Sequence, residues 1–408
     1  MIPDLPGSPQ TGMRPSMQTL RITIVAGIVA LLSCACTETA PPPGAHDLTL
    51  TLRWVKGYGA ENEKKVETGL LWALSFLGAQ FPRSAPKAFL WKDRMVTVDF
   101  ERIGIPEAVR PAWVELIAQI KGSDEYRRTG GMDIGRFLML TLCSPRNYYV
   151  LTGVAPHLEQ VRARHAFDRE QMAVTQSEIA VGNRLIDIGE AHRFGEIGFI
   201  AYEGTGTIAD GSFQKKEIEV LEFMKNGQLR FALYDLEGNL KTSATPALTS
   251  AGKPSKCLWC HEIRLQPAIR NRVDTPGYYT TQQFGALIAA RMKLVDEYRN
   301  GLDSKVDFRR TQDHTFAELL YLTFMEPSAE RLALEWNMPV EQVTTLLKAM
   351  PTHAQPEFAW LGSRLYRRQD VDPLAPYPVM KVASDPREPS AYEPEVLTSK
   401  QPAEGPGP

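Results

Sequence analysis

Cysteine is scarce in this chain, five residues among 408. A disulfide-dense scaffold is therefore excluded. A zinc site would ordinarily bring a second cysteine or histidine pair; Cys143 stands alone and the seven histidines are scattered. An excess of charge of either sign is also missing: 46 basic residues face 48 acidic ones, for a net charge of −2. With no polybasic run, nothing argues for nucleic acid or an anionic membrane surface as a partner. The segment "GTGTIADG" has G-x-G but lacks the full G-x-G-x-x-G of a strand-to-helix phosphate cradle, which leaves a nucleotide site unsupported. No internal repeat is visible. The apolar run "ITIVAGIVALL" (22–32) is too short to cross a bilayer comfortably as a permanent helix.

That run has a different use. Arg21 precedes it and small residues follow in "SCACTETAPPPGA", which is the plan of a secretory signal peptide. Leu31-Leu32-Ser33-Cys34 resembles the lipobox of bacterial lipoproteins. The resemblance implies a signal over 1–33, cleavage before Cys34, acyl chains on Cys34, and a Pro-rich lipid-anchor spacer over 34–46. Cys36 fits less well, because Ser33 would then stand where the pattern wants an aliphatic residue. A plain signal peptide or an uncleaved anchor, with Cys34 incidental, is the alternative. Met13 and Met17 offer later starts. The expected location is the periplasm or cell envelope; Ala35 lacks the aspartate associated with inner-membrane retention.

The remainder reads as α+β. Strands are expected in "DLTLTLRWV", "RMVTVDF", "IGFIAYEG", "KEIEVLEFM" and "LRFALYDL", from period-2 alternation and β-branched content. Asn226-Gly227 is a hairpin signal between the last two. "NYYVLTGV" also reads as β-like, and "DIGRFLMLTLC" as a short buried helix or strand. Helical spacing follows Glu61, runs through "IPEAVRPAWVELIAQIKG", and returns after residue 280 in four segments. The expected organisation is an α+β domain over 47–245, a mainly helical domain over 246–370, and a Pro-rich, disordered tail over 371–408. Asp168, Glu170, Glu178 and Asp187 read as surface charges. The pairs Tyr148-Tyr149 and Tyr278-Tyr279 read as core, or as the lining of a pocket. Cys143 reads as buried and free, with a disulfide to Cys36 as the alternative.

Chemistry concentrates in "KPSKCLWCHEI" (253–263). If this stretch is helical, Cys257, Cys260 and His261 stand at i, i+3 and i+4 and share one face. Two thiols can then add across two haem vinyl groups while the imidazole is held under the iron. Cys257-Leu258-Trp259-Cys260-His261 resembles the C-x-x-C-H attachment signature of c-type cytochromes. The resemblance implies one covalent haem c, thioethers at Cys257 and Cys260, His261 as proximal iron ligand, one-electron transfer, and a periplasmic redox partner protein. A thioredoxin-like dithiol would instead open a helix after a buried strand. A non-redox lipoprotein with a Cys257–Cys260 disulfide is a further reading.

The second axial ligand is less determined. Met338, in "WNMPVEQV", is the distal candidate, with Met350, Met292, Met325, His314, His353 and His192 as others. An iron open on that side would mean catalysis or sensing. The order of strands before the motif (197–262) is similar to a family of exported c-haem enzymes that oxidise hydroxylamine or nitric oxide on a β-sheet. That family's lysine–haem cross-link finds no clear match; Lys241, Lys253 and Lys256 read as solvated loop residues.

Overall fold

A computed structural model describes residues 48–397 except 168–169, 176, 178, 266–273, 311–312, 391 and 395–396. The expected signal, Cys34, Cys36, the spacer, Asp168 and Glu178 lie outside the described residues.

The fold is α+β, as expected. The first sheet comprises β1 (Thr49–Arg53), β2 (Phe89–Lys92), β3 (Met95–Asp99) and β4 (Met132–Asp133), in the order β2-β3-β1-β4. Leu50, Leu52, Val96 and Val98 alternate inward and are fully buried, which is why these short runs pair as strands. The helices nearby are α1 (Glu63–Phe76), α2 (Arg110–Lys121), α3 (Asp124–Thr129), α4 (Ile134–Leu140), α5 (Pro145–Thr152) and α6 (Leu158–Arg164). The second sheet is an antiparallel meander of β5 (Glu170–Val174), β6 (Arg184–Ile188), β7 (Gly198–Thr205), β8 (Gln214–Phe223) and β9 (Leu229–Tyr234). The motif forms α7 (Pro254–His261), followed by α8 (Thr281–Gly301), α9 (His314–Met325), α10 (Ala329–Trp336), α11 (Val340–Leu346) and α12 (Arg368–Val371). No helix among the described residues is long and apolar enough to cross a membrane.

Helix α9 is the centre of the helical layer, apolar on nearly all sides and buried over most of its length. Helices α1 and α4 close onto it at glycines. A side chain at Gly69 would meet the Phe316 backbone, and one at Gly135 would collide with Phe324. Gly227, at φ +83°, makes the β8–β9 turn, and Asn226 beside it donates to the Ser75 and Ala79 carbonyls at 2.7 and 2.9 Å. The hairpin is thereby tied to the end of α1.

Four expectations are corrected. "NYYVLTGV" is not a strand but part of α5: Pro145 starts the helix and Gly153, at φ +67°, ends it. Tertiary contact overrides the β-propensity of Tyr and Val, because the Tyr148 and Tyr149 hydroxyls accept from the outward N–H groups of Phe231 and Leu233. Helix α5 thus covers the edge strand β9. No boundary falls near residue 245; the described residues belong to one compact unit, since the main core runs from Leu48 to Ala383. Nor is the segment after 370 without packing: Val382 and Ala383 are buried, and Asp385, Arg387 and Ser390 bond to the body. Asp187, expected at the surface, is buried in β6.

A lattice of buried charge joins the sequence-distant pieces. Arg136 on α4 meets Glu125 at 2.8 Å, Asp372 at 3.0 Å and the Met380 carbonyl at 2.7 Å. Arg368 reaches Glu335 at 2.8 Å and Asp372 at 3.2 Å, while Arg331 reaches Glu335 at 2.6 Å and Asp133 at 2.9 Å. All three guanidinium groups lie over the Phe324 ring, 3.9 to 5.4 Å from its centroid. Burial works to raise the Glu335 pKa, but Arg368, Arg331 and Arg136 overcome it and hold the carboxyl at about 2. A depressed carboxylate contributes stability above its unfolded pKa and loses it as pH falls toward the folded value. Glu335→Gln is expected to cost about 3 kcal/mol at neutral pH. Denaturant unfolding at stepped pH should show the wild-type advantage shrinking from the ordinary carboxylate range down toward pH 2.

Candidate functional site

Helix α7 begins at Pro254, the first helical position, where the missing N–H costs nothing. It ends at His261, because Glu262 adopts φ +46° and turns the chain away. Within it, Cys257, Cys260 and His261 line one cavity together with Pro254, one helical turn before Cys257. Helical spacing therefore brings both thiols and the imidazole to one wall, as expected.

The opposite wall is the face of the second sheet. Ile186, Ala201, Glu219 and Leu233 stand opposite one another across β6 to β9, and Phe199, Leu221 and Phe231 form the next row. Because strand side chains alternate, these rows share one face, and Arg184 stands two residues from Ile186 on that face. Phe284 and Ile288 of α8, one turn apart, close a third side. Helix α8 is held there by Arg299, which donates to the Gly227 carbonyl at 2.7 Å and to the Ile263 carbonyl at 2.5 Å. The cavity volume is about 120 Å³, and the cavity is partly open to solvent. Its walls are mostly apolar.

Burial sets the chemistry of the three motif side chains. It pushes the Cys257 thiol well above its ordinary range, reinforced by Glu219 and Cys260, and it raises Cys260 too. Both are protonated at neutral pH, unlike the low-pKa thiolate of a redox dithiol. Neither is in a disulfide. Burial lowers the His261 pKa to about 4, so the ring is neutral, the form that binds metals. Its buried Nδ1 finds no hydrogen-bond partner. Two thiols and a neutral imidazole on one wall of an apolar cavity are a donor set that fits a covalently attached haem. Among the described residues, no group of three or more His, Cys, Asp or Glu side chains is placed to hold a metal ion by itself.

The other expected ligands fall elsewhere. Met338 does not line the cavity. It packs in a separate small core with Trp336, Val343 and Leu347, beyond Asn337, whose φ of +52° ends α10. Met350 joins the same core. Met325 is in the main core, His192 is exposed, and His353 pairs with Glu326 at 2.9 Å. His314 lies 3.5 Å from Glu262, in a minor cleft on another side of α7. Met292 touches a lining residue: its sulfur accepts from the N–H of Leu265 at 3.3 Å.

Sequence reasoning passed over two features. Lys253, read as solvated, is fully buried. Its Nζ donates to the Asp385 carbonyl at 2.6 Å and to Ser390 at 2.7 Å, and meets Glu393 at 2.6 Å. Lys256 pairs with Glu388 at 3.1 Å, and Arg387 lies over the Trp259 ring while bonding Glu318 and Glu357. Asp385, Arg387, Glu388, Ser390 and Glu393 thus strap α7 in place. The other missed feature is charge on the inner sheet face: Arg184 reaches Glu219 at 2.7 Å and also contacts Glu203, and Lys241 contacts Glu217. The spacing Glu217-x-Glu219 between apolar Ile218 and Val220 carried that signal, but alternation alone reads as a wet face.

Compared with known proteins, the chain matches no family model, no curated protein and no solved structure.

Lys253→Met deletes the buried ammonium at the root of the strap and is expected to cost about 3 kcal/mol. Limited trypsin digestion should then cut at Arg387 well before the rest of the fold, whereas the wild type resists there. An unchanged digestion pattern would mean that the strap is held by its other contacts alone.

Proposed function

We propose that this chain is an exported, lipid-anchored, monohaem c-type cytochrome. Cys257 and Cys260 would carry the haem through thioethers, and His261 would be the proximal iron ligand. The observation that carries this reading is the shared wall: both thiols and a neutral imidazole on one face of α7, against an apolar cavity under the sheet. When bound, haem c supplies a one-electron redox centre. The chain's own residues attach it, exclude water through Phe199, Phe231 and Phe284, and hold α7 rigid through the C-terminal strap. Acylation at Cys34 would tether the protein to a membrane, with a periplasmic redox protein as partner.

A specific feature favours an open iron over a closed electron carrier. Among the described residues, the cavity lining contains no methionine and no histidine other than His261, but it does contain Arg184 and Glu219. This supports the reading of a ligand-binding haem, of the kind used for hydroxylamine or nitric oxide chemistry or for sensing.

The test is expression with a haem-maturation system, followed by acid-acetone extraction and a pyridine haemochrome assay. Haem should stay with the polypeptide, and Cys257→Ala with Cys260→Ala should abolish retention. Loss of all haem from the wild-type chain on extraction would sink the reading. In the loaded protein, carbon monoxide should shift the ferrous spectrum, and Met338→Ala should leave that spectrum unchanged. Indifference to carbon monoxide would favour the closed carrier.

A further inference from the structure

The inner face of the second sheet carries an unbalanced set of buried charges. Glu203 stands directly opposite Glu217 in the β7–β8 ladder, and Arg184 stands directly opposite Glu203 in the β6–β7 ladder. Glu219 is two residues along from Glu217 on the same face and lines the cavity with Arg184. Lys241 contacts Glu217, which also accepts from the Thr245 N–H at 3.0 Å and the Thr245 hydroxyl at 2.9 Å. Arg184 serves both Glu203 and Glu219. Three carboxyls therefore share two cations, and Glu203, Glu217 and Arg184 are all less than a tenth exposed.

Like charges directly opposite in a sheet repel, and an uncompensated carboxylate cannot be held in a dry interior. Such a set keeps a proton rather than a net negative charge. Burial pushes Glu203 up to about 8, with Arg184 opposing and Glu219 and Glu217 adding repulsion. Burial also raises Glu219, again against Arg184. The groups facing this set are Arg184 from β6, Glu203 from β7, Glu217 and Glu219 from β8, Lys241, Thr245 and Thr249 from the following loop, and Cys257 from α7. Among the described residues, the loop and α7 bring no third cation to it.

Resting on the haem reading above, the geometry points to Glu203, Glu219 and Arg184 as a proton-storing cluster that takes up one proton when the cavity's redox group takes up one electron. Reduction removes one positive charge from the cavity, and the cluster answers by binding one proton. The electron comes from a one-electron redox protein, or from an electrode, and the proton comes from solvent. The only bond formed is a carboxyl O–H, and reoxidation returns both particles. Function would then be proton-coupled electron transfer rather than bare electron transfer.

The experiment is potentiometric titration of the haem-loaded full chain at stepped pH. The wild-type midpoint should fall with rising pH through the region of about 8, where Glu203 titrates. One proton per electron gives a slope near 59 mV per pH unit, the tenfold step of a one-electron couple. Glu203→Gln and Glu219→Gln should each flatten that slope, whereas haem propionates would leave it unchanged in both variants. Infrared spectroscopy of the haem-free full chain gives a separate reading. A protonated-carboxyl band should disappear as pH rises through about 8, and Glu203→Gln should lack it. A flat wild-type midpoint, or a slope indifferent to both variants, overturns the coupling. If no haem is retained, the haem reading has failed and the coupling falls with it, while the infrared band still reports whether the cluster holds a proton.

Discussion

The architecture depends on a charge balance built around one aromatic ring. Phe324 sits on the central helix α9, and the guanidinium groups of Arg136, Arg331 and Arg368 surround it. Four acids answer them: Glu125, Asp133, Glu335 and Asp372. Taking so many ions out of water is tolerable only if every charge is met at close range. Chain order and spatial order differ here: α3 and β4 bring two of the acids, while α10 and the turn after α12 bring the others. From Arg136 the connection passes to the Met380 carbonyl, and from there to the strap whose Asp385 and Ser390 hold Lys253 at the entrance to α7. Helix α7 is thus positioned by contacts made more than a hundred residues away in sequence.

The second sheet shows what such balance does when it is over-supplied on one face and under-supplied on the other. Glu222 faces away from the cavity and meets His165 at 2.8 Å, Arg230 at 3.0 Å and Arg164 at 3.3 Å. Burial opposes its ionisation, yet Arg230, His165 and Arg164 hold its carboxyl far below the usual range. On the cavity side, Glu203 and Glu219 share one arginine and are pushed the opposite way. The two faces belong to the same strands, and a one-residue change of register would exchange them. Register is fixed by the apolar partners of each charge: Ile218 and Val220 point one way, Leu221 the other.

Legibility in the sequence followed the range of the interactions. Strands with clean alternation, such as β1, β3, β7, β8 and β9, and helices with marked ends, such as α8 with its Thr280–Gln283 capping box, could be read directly. Strands β5 and β6 escaped because their runs are short and polar residues interrupt them. Helix α5 was misread because Tyr and Val favour strands locally, while its real role is to lend two hydroxyls to a sheet edge. The segment after residue 370 looked unfit to pack because its composition is Pro-rich. It is ordered by ion pairs with groups that composition does not display.

By itself the sequence determined the local geometry of the site: a five-residue spacing that puts two thiols and an imidazole on one helical face once the segment is helical. It also determined the α+β character, through periodicity. Only the tertiary structure decided what faces that helix. The sheet supplied Arg184 and Glu219 from strands 35 residues apart, removed Met338 to another core, and buried Lys253 under the C-terminal strap. The physical reason is that helical spacing is a property of neighbouring residues, whereas burial and charge compensation depend on which distant segments share the dry interior.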